Sequence, residues 1–215
     1  PAQVSPGHIV IRAHGITPQT KDALKAAGFT VVDATCPRVI KVQTIISKYA
    51  GRGYEVIIVG DENHPEVVGL MGFAQGRAHV VHDPQQISQL PHYTDVIVVA
   101  QTTQDETLFH AVVDAGRARF ANLQVFNTIC YSTRERQAEA REMARDVDAV
   151  VVVGGRNSGN TQRLAQVVEH EGVRACHVES ESDLDYGALG PSRAVGVTAG
   201  ASTPNWVIKK VYQSL

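Results

Sequence analysis

The sequence predicts an α/β protein built from repeated lobes, each a parallel sheet packed with helices. Three observations carry that expectation. Short Val/Ile-rich runs alternate with amphipathic stretches along the 215 residues, which is the pattern of βαβ construction. The runs are continuously apolar, as strands buried on both faces are. The later part of the chain repeats the order of the earlier part.

HIVIRAHG (8–15) opens as a strand and carries His14 near its end. The next run, in VVDATCPRVIKV (31–42), breaks at Asp33-Ala34-Thr35, followed by Cys36 and Pro37 and then by helix-like text. Pro37 suits a first helical turn, because its φ is already set. YEVIIVGDENHPE (54–66) is a strand that ends at Gly60 and leads to His64 and Glu66. TDVIVVAQTT (94–103) is a strand whose polar end carries Thr102. QVFNTICYSTRE (124–135) brings Cys130 to another strand mouth, and RERQAEAREMARDV (134–147) has helical spacing with little Gly or Pro. DAVVVVGGRNSGN (148–160) is a strand running into a glycine-rich turn. RAVGVTAGAS (193–202) ends at Ser202, with Pro204 at the next helix start.

The repeat is visible in the cysteines. Cys36 and Cys130 lie 94 residues apart; each follows an apolar run, Asp or Asn, and two more residues. Each precedes by 24 residues a glycine that ends a strand, Gly60 or Gly154. The expected divisions are 1–35 as the remnant of a first lobe, 36–129 as a second and 130–215 as a third. The chain opens on Pro1 rather than Met, so an upstream part is expected. By the same repeat arithmetic it holds a third motif cysteine roughly 50 residues before Pro1.

Composition narrows the function. A net charge of -2 gives no basic surplus for a nucleic-acid footprint. No apolar run approaches the roughly 18 residues that span a bilayer, and no leader pattern is present. Three cysteines, an odd and sparse count, argue against a disulfide scaffold and for a reducing, cytoplasmic setting. In that setting, cysteines at unusual positions point to metal binding or catalysis. Cys176 lies inside an expected strand and reads as a structural thiol.

Ligands of parallel α/β sheets bind outside the carboxyl ends of the strands. His14, Cys36, His64, Glu66, Thr102, Cys130, Ser158, Asn160 and Ser202 all fall at such ends. Pseudo-threefold lobes with these ends facing inward would place them around one central cavity. Two equivalent thiolates, with a third implied, suit zinc or an iron–sulfur cluster. The absence of a C-x2-C pair favours the cluster, against the plainer reading of small residues at equivalent helix starts. Glu66 could relay protons and a protonated His64 could bind an anion; a solvated turn is the alternative. The turn VGGRNSGNTQRL (153–164) could cradle phosphate oxygens at a helix start, or serve only as a cap. It is neither a Walker loop nor a dinucleotide fingerprint.

Together these pieces resemble the LytB/IspH family of 4-hydroxy-3-methylbut-2-enyl diphosphate reductases. The resemblance rests on AHG (13–15), DATCP (33–37) with VIKV after it, HPEVVG (64–69), QTT (101–103), ICYST (129–133), VGGRNSGNTQRL and VGVTAGAS (195–202), in family order along the chain. It implies a trefoil of three α/β lobes, a [4Fe–4S] cluster on three cysteines, and reductive removal of the substrate's allylic hydroxyl. The products would be isopentenyl and dimethylallyl diphosphates, made in the last step of the non-mevalonate isoprenoid route with electrons from ferredoxin or flavodoxin. Cys36 and Cys130 fall on two cluster-ligand positions, and His14 and His64 on diphosphate-binding histidines. Glu66 falls on the proton-supplying acid and Thr102 on its partner. Ser158, Gly159, Asn160 and Ser202 fall on diphosphate-contact positions.

The chain departs from the family pattern twice. The segment bearing the first cluster cysteine, with a further histidine, is absent, so the resemblance predicts the C-terminal two-thirds of such a reductase. Gly159 stands where the family commonly has serine, which removes one hydroxyl contact. The alternative is a non-catalytic, diphosphate-binding relative without a complete cluster site.

Overall fold

A computed structural model describes residues 7–190 and 192–215. The first six residues of the expected first-lobe remnant lie outside the described residues. The chain divides into two compact units, 1–102 with 106–129, and 103–105 with 130–215.

The first unit contains β1 (His8–Ile11), α1 (Pro18–Ala26), β2 (Thr30–Asp33), α2 (Pro37–Ala50), β3 (Glu55–Val59), α3 (Pro65–Met71), β4 (Ala78–Val81), β5 (Asp95–Ala100), α4 (Glu106–Arg119) and β6 (Asn122–Val125). β1 and β2 pair as a two-stranded sheet, and the other strands form a four-stranded sheet in the order β4-β3-β5-β6. Every pairing is parallel. Ile57, Val59, Val96 and Val98 pack on one face with Phe109 and Val112 of α4. Val56, Ile58, Ile97 and Val99 pack on the other with Val39, Val42 and Ile46 of α2 and Val67 and Leu70 of α3. Because successive side chains alternate between two covered faces, the central strands had to be apolar throughout.

The second unit contains α5 (Tyr131–Ala144), β7 (Ala149–Val153), α6 (Gly159–His170), β8 (Arg174–Val178), the single turn α7 (Tyr186–Leu189), β9 (Val195–Ala199) and α8 (Asn205–Gln213). Its parallel sheet runs β8-β7-β9. Val150 and Val152 face Ala140 of α5 and Leu164, Val167 and Val168 of α6. Val151 and Val153 face Val207 and Val211 of α8.

The duplication is present in the backbone. α5 and β7 have the bounds of α2 and β3 displaced by the same 94 residues that separate the cysteines. β4 had no sequence signal of its own. It is a four-residue edge strand with one fully buried side chain, so neither its length nor its pattern separates it from a loop. Among the described residues no helix is long and apolar enough to cross a membrane, and Cys36, Cys130 and Cys176 form no disulfide.

Gly60 shows how tightly the strand ends are packed. A Cβ there would sit 2.8 Å from Val67 Cγ2 and 3.0 Å from Gln101 Oε1. Gly60→Ala should therefore destabilise the protein by about 1–3 kcal/mol through overpacking. Urea denaturation measures this, and an unchanged midpoint would contradict the packing.

Candidate functional site

In the first unit, the site is built on the carboxyl ends of the adjacent strands β3 and β5. After β3 the chain turns through Gly60 to His64, which is the N-cap of α3: its Nδ1 accepts the Glu66 N–H at 3.2 Å. The ring nitrogen that accepts this bond carries no proton, so His64 presents an Nε2–H donor. After β5, the buried Gln101 turns its Oε1 back to accept the Asp61 N–H at 3.0 Å, tying the two strand ends together. Thr102 follows. Its N–H donates to Glu66 Oε1 at 2.6 Å and its hydroxyl donates to Oε2 at 2.7 Å.

Glu66 is only 2% exposed. Burial pushes its carboxyl above the ordinary range, against the two Thr102 bonds that favour the carboxylate. Since an N–H can only donate, Oε1 is committed as an acceptor. A proton on Glu66 therefore belongs on Oε2, facing a hydroxyl that can rotate to accept it.

His14 arrives from the end of β1. Gly69 of α3 lies against its backbone, because a Cβ there would be 3.6 Å from the His14 carbonyl oxygen. The His14 and His64 rings meet edge-on, with centroids 5.3 Å apart. Burial, and then the charge of Arg12, hold His14 below the usual histidine range. Its Nδ1 is buried without a partner among the described residues. The two rings thus bring imidazole nitrogens together at the end of α3, where they could hydrogen-bond an anion.

The second unit repeats this corner. Ser158 is the N-cap of α6, 94 residues after His64, and Asn160 takes the place of Glu66. Asn160 is 8% exposed, and its Nδ2 has no hydrogen-bond partner among the described residues. Helix geometry also leaves first-turn N–H groups unpaired at Gly159 and Asn160. An orphaned amide donor beside a helix N-terminus fits an anion. Gly154 (φ +150°) allows the loop to close: a Cβ there would be 2.7 Å from both Thr161 Oγ1 and Thr203 Oγ1. Ser202 is exposed in the turn after β9, where the Gly200 N–H donates to the Val153 carbonyl at 2.9 Å.

The two cysteines stand at matching corners. Cys36 is the N-cap of α2 with φ -56° and ψ 132°; Cys130 is the N-cap of α5 with φ -65° and ψ 136°. Neither thiol caps its helix, and both are partly exposed. Cys130 Sγ lies 3.2 Å from Ser132 Oγ. Thiolates beside the positive ends of helices suit a negatively charged sulfur-ligated cluster. Each corner, taken by itself, could offer one thiolate ligand to such a group. Among the described residues, no set of three or more His, Cys, Asp or Glu side chains could hold a metal.

The structure therefore gathers His14, His64, Glu66 and Thr102 in the first unit, and Ser158, Gly159, Asn160 and Ser202 on neighbouring strand ends of the second. Sequence reasoning missed Gln101, Thr161 and Thr203, whose roles are contacts across strands. The equivalence of Glu66 and Asn160 was within reach, because both lie 30 residues after a motif cysteine.

The family profile described as LytB protein matches residues 2–215. The chain is 46% identical over 219 residues to 4-hydroxy-3-methylbut-2-enyl diphosphate reductase of Solidesulfovibrio magneticus, covering 100% of this chain and 77% of that relative. It is 45% identical over 205 residues to the enzyme of the same name from Citrifermentans bemidjiense, covering 95% of this chain and 72% of the relative. The solved E-1-hydroxy-2-methyl-but-2-enyl-4-diphosphate reductase of Plasmodium falciparum superposes with a TM-score of 0.93 at 28% identity, over 99% of this chain and 68% of that one. A solved (E)-4-hydroxy-3-methyl-but-2-enyl diphosphate reductase, titled as the terminal enzyme of the non-mevalonate pathway, gives 0.63 at 37% identity, over 96% and 75%.

Two of the shifted carboxyls, Glu66 and Asp33, act in opposite pH windows. Glu66 has its folded pKa raised above 4.5, so its contribution to stability is complete below that value and lost as pH rises through the raised one. Asp33, hydrogen-bonded by Lys21 and Thr35, is held down to about 2 from 3.8; its contribution is present above 3.8 and lost as pH falls toward 2. Glu66→Gln should flatten the decline on the alkaline side, and Asp33→Asn the decline on the acid side. Urea midpoints followed across both windows check each sign.

Proposed function

This chain belongs to the LytB family, and on that premise we propose that it serves as a 4-hydroxy-3-methylbut-2-enyl diphosphate reductase. The reaction replaces the allylic hydroxyl by hydrogen, consuming two electrons and two protons and releasing water. The products are isopentenyl and dimethylallyl diphosphates, at the end of the non-mevalonate isoprenoid route. The observation that carries this reading is the buried Glu66–Thr102 pair beside the paired rings of His14 and His64, which would serve as a proton store next to anion donors.

Cys36 and Cys130 would hold two positions of a [4Fe–4S] cluster, with a third cysteine from outside residues 1–215. When bound, the cluster supplies electrons one at a time and a Lewis-acidic iron. Ferredoxin or flavodoxin would provide those electrons.

The chain's own residues bind, orient and deliver protons. The His14 and His64 rings, with Ser158, Asn160, Ser202 and the Gly159 N–H, would hydrogen-bond the diphosphate; most of these donors are neutral, so preorganisation supplies the affinity. At Gly159 only the backbone contributes. A bound diphosphate would raise the pKa of Glu66 further, since like charge disfavours ionisation. Glu66 would then hold its proton on Oε2 until it is needed, and the Thr102 hydroxyl would pass it on.

Glu66→Gln should lower turnover by about two to four orders of magnitude, while iron content and inorganic diphosphate binding stay normal. Turnover close to that of the parent would remove Glu66 from this role. Cys36→Ser and Cys130→Ser should each reduce iron per chain after anaerobic reconstitution. Normal iron in both would exclude them as ligands.

A further inference from the structure

We propose that Asp33 and Asn127 are the positioning residues of the two motif cysteines, holding the strand-to-helix corner from which each thiol is presented; this rests on the cluster reading of Cys36 and Cys130. The N-cap of a helix ordinarily carries Ser, Thr, Asp or Asn, whose oxygen accepts a first-turn N–H and stabilises the helix start. Cys36 and Cys130 occupy N-caps without making that bond. Something else must hold each corner.

The residue three before each cysteine does so. Asp33 Oδ1 accepts the Thr35 N–H at 3.0 Å and the Thr35 hydroxyl at 2.5 Å. Asn127 Oδ1 accepts the Ile129 N–H at 3.1 Å. Both are Asx turns that close on the residue preceding the cysteine. The backbone angles of Cys36 and Cys130 differ by less than 10°. In the first copy the turn also fixes the His14 loop: the Cys36 N–H donates to the Ala13 carbonyl at 3.0 Å, and Thr35 Cγ2 would lie 3.2 Å from a Cβ at Gly15.

The remaining atom of each side chain explains why one copy has Asp and the other Asn. Asp33 Oδ2 pairs with Lys21 Nζ at 2.6 Å. Asn127 Nδ2 donates to Glu106 Oε1 at 3.2 Å. Aspartate at 127 would place two carboxylates together, whereas asparagine at 33 would keep the turn and lose only an exposed ion pair of small worth.

The test uses the full-length protein, reconstituted with iron and sulfide and then challenged with a chelator. It also follows the alkylation of Cys36 and Cys130 by iodoacetamide relative to Cys176 in the cluster-free protein. Asp33→Ala and Asn127→Ala should hold iron about tenfold less tightly and alter alkylation of the adjacent cysteine alone. Asp33→Asn should behave as the parent. Asn127→Asp should lose iron, and Asn127→Asp with Glu106→Lys should recover it, recreating the Lys21–Asp33 pair. If an alanine variant fails to fold, the Asn127→Asp variants decide. Iron retention and alkylation that match the parent in Asp33→Ala and Asn127→Ala, or in Asn127→Asp where those do not fold, would overturn the proposal. If the parent itself takes up no iron, the cluster reading fails separately, and the alkylation rates still judge the positioning role.

Discussion

A parallel sheet covered on both faces leaves its polar groups one outlet, the ends of its strands. β3, β5 and β7 are buried along nearly their whole length, so nothing charged can project from their middles without a large desolvation cost. His64, Glu66, Thr102, Ser158 and Asn160 follow the ends of these strands, while His14, Cys36, Cys130 and Ser202 follow the less buried β1, β2, β6 and β9. There the unpaired N–H groups of the helix and the last carbonyls of the sheet are available together. Both units obey this constraint, and both therefore develop their chemistry at corresponding corners.

Strand-to-helix corners of one kind are used in three ways. At His64 and Ser158 the capping side chain satisfies a helix N–H and sets the first turn. At Glu66 and Asn160, two residues further on, a side chain is buried beneath that turn, one a carboxyl tied to Thr102 and the other an amide with an unused donor. At Cys36 and Cys130 the cap is left unmade and the preceding Asx turn holds the backbone instead. Duplication thus supplied one scaffold: the cysteine corner is kept in both copies, while His64 and Glu66 of the first are replaced by Ser158 and Asn160 in the second.

Burial acts on two titratable groups of the first unit in the same sense. Glu66 is pushed toward its protonated form and His14 toward its unprotonated form, each mainly by burial. A neutral acid and a neutral imidazole can sit close together without repulsion and without demanding counter-ions. Donors fixed in place beforehand would bind an anion with little reorganisation.

Much of this was legible in the sequence by itself. The apolar runs, the 94-residue repeat, and the cysteines and histidines at strand mouths depend on composition and spacing along the chain, as does the likeness to a family whose motifs recur in order. Burial on two faces writes itself into consecutive residues, and caps involve neighbours within four positions. Tertiary structure decided the rest. Thr102 donates to Glu66 across 36 residues, and that pairing follows from the register of β3 against β5. The neutral state of His14 follows from what surrounds it, and β4 exists because β3 offered an edge to pair with. Each of these is a contact between segments distant in sequence, set by how strands align and helices pack, and no local pattern records it.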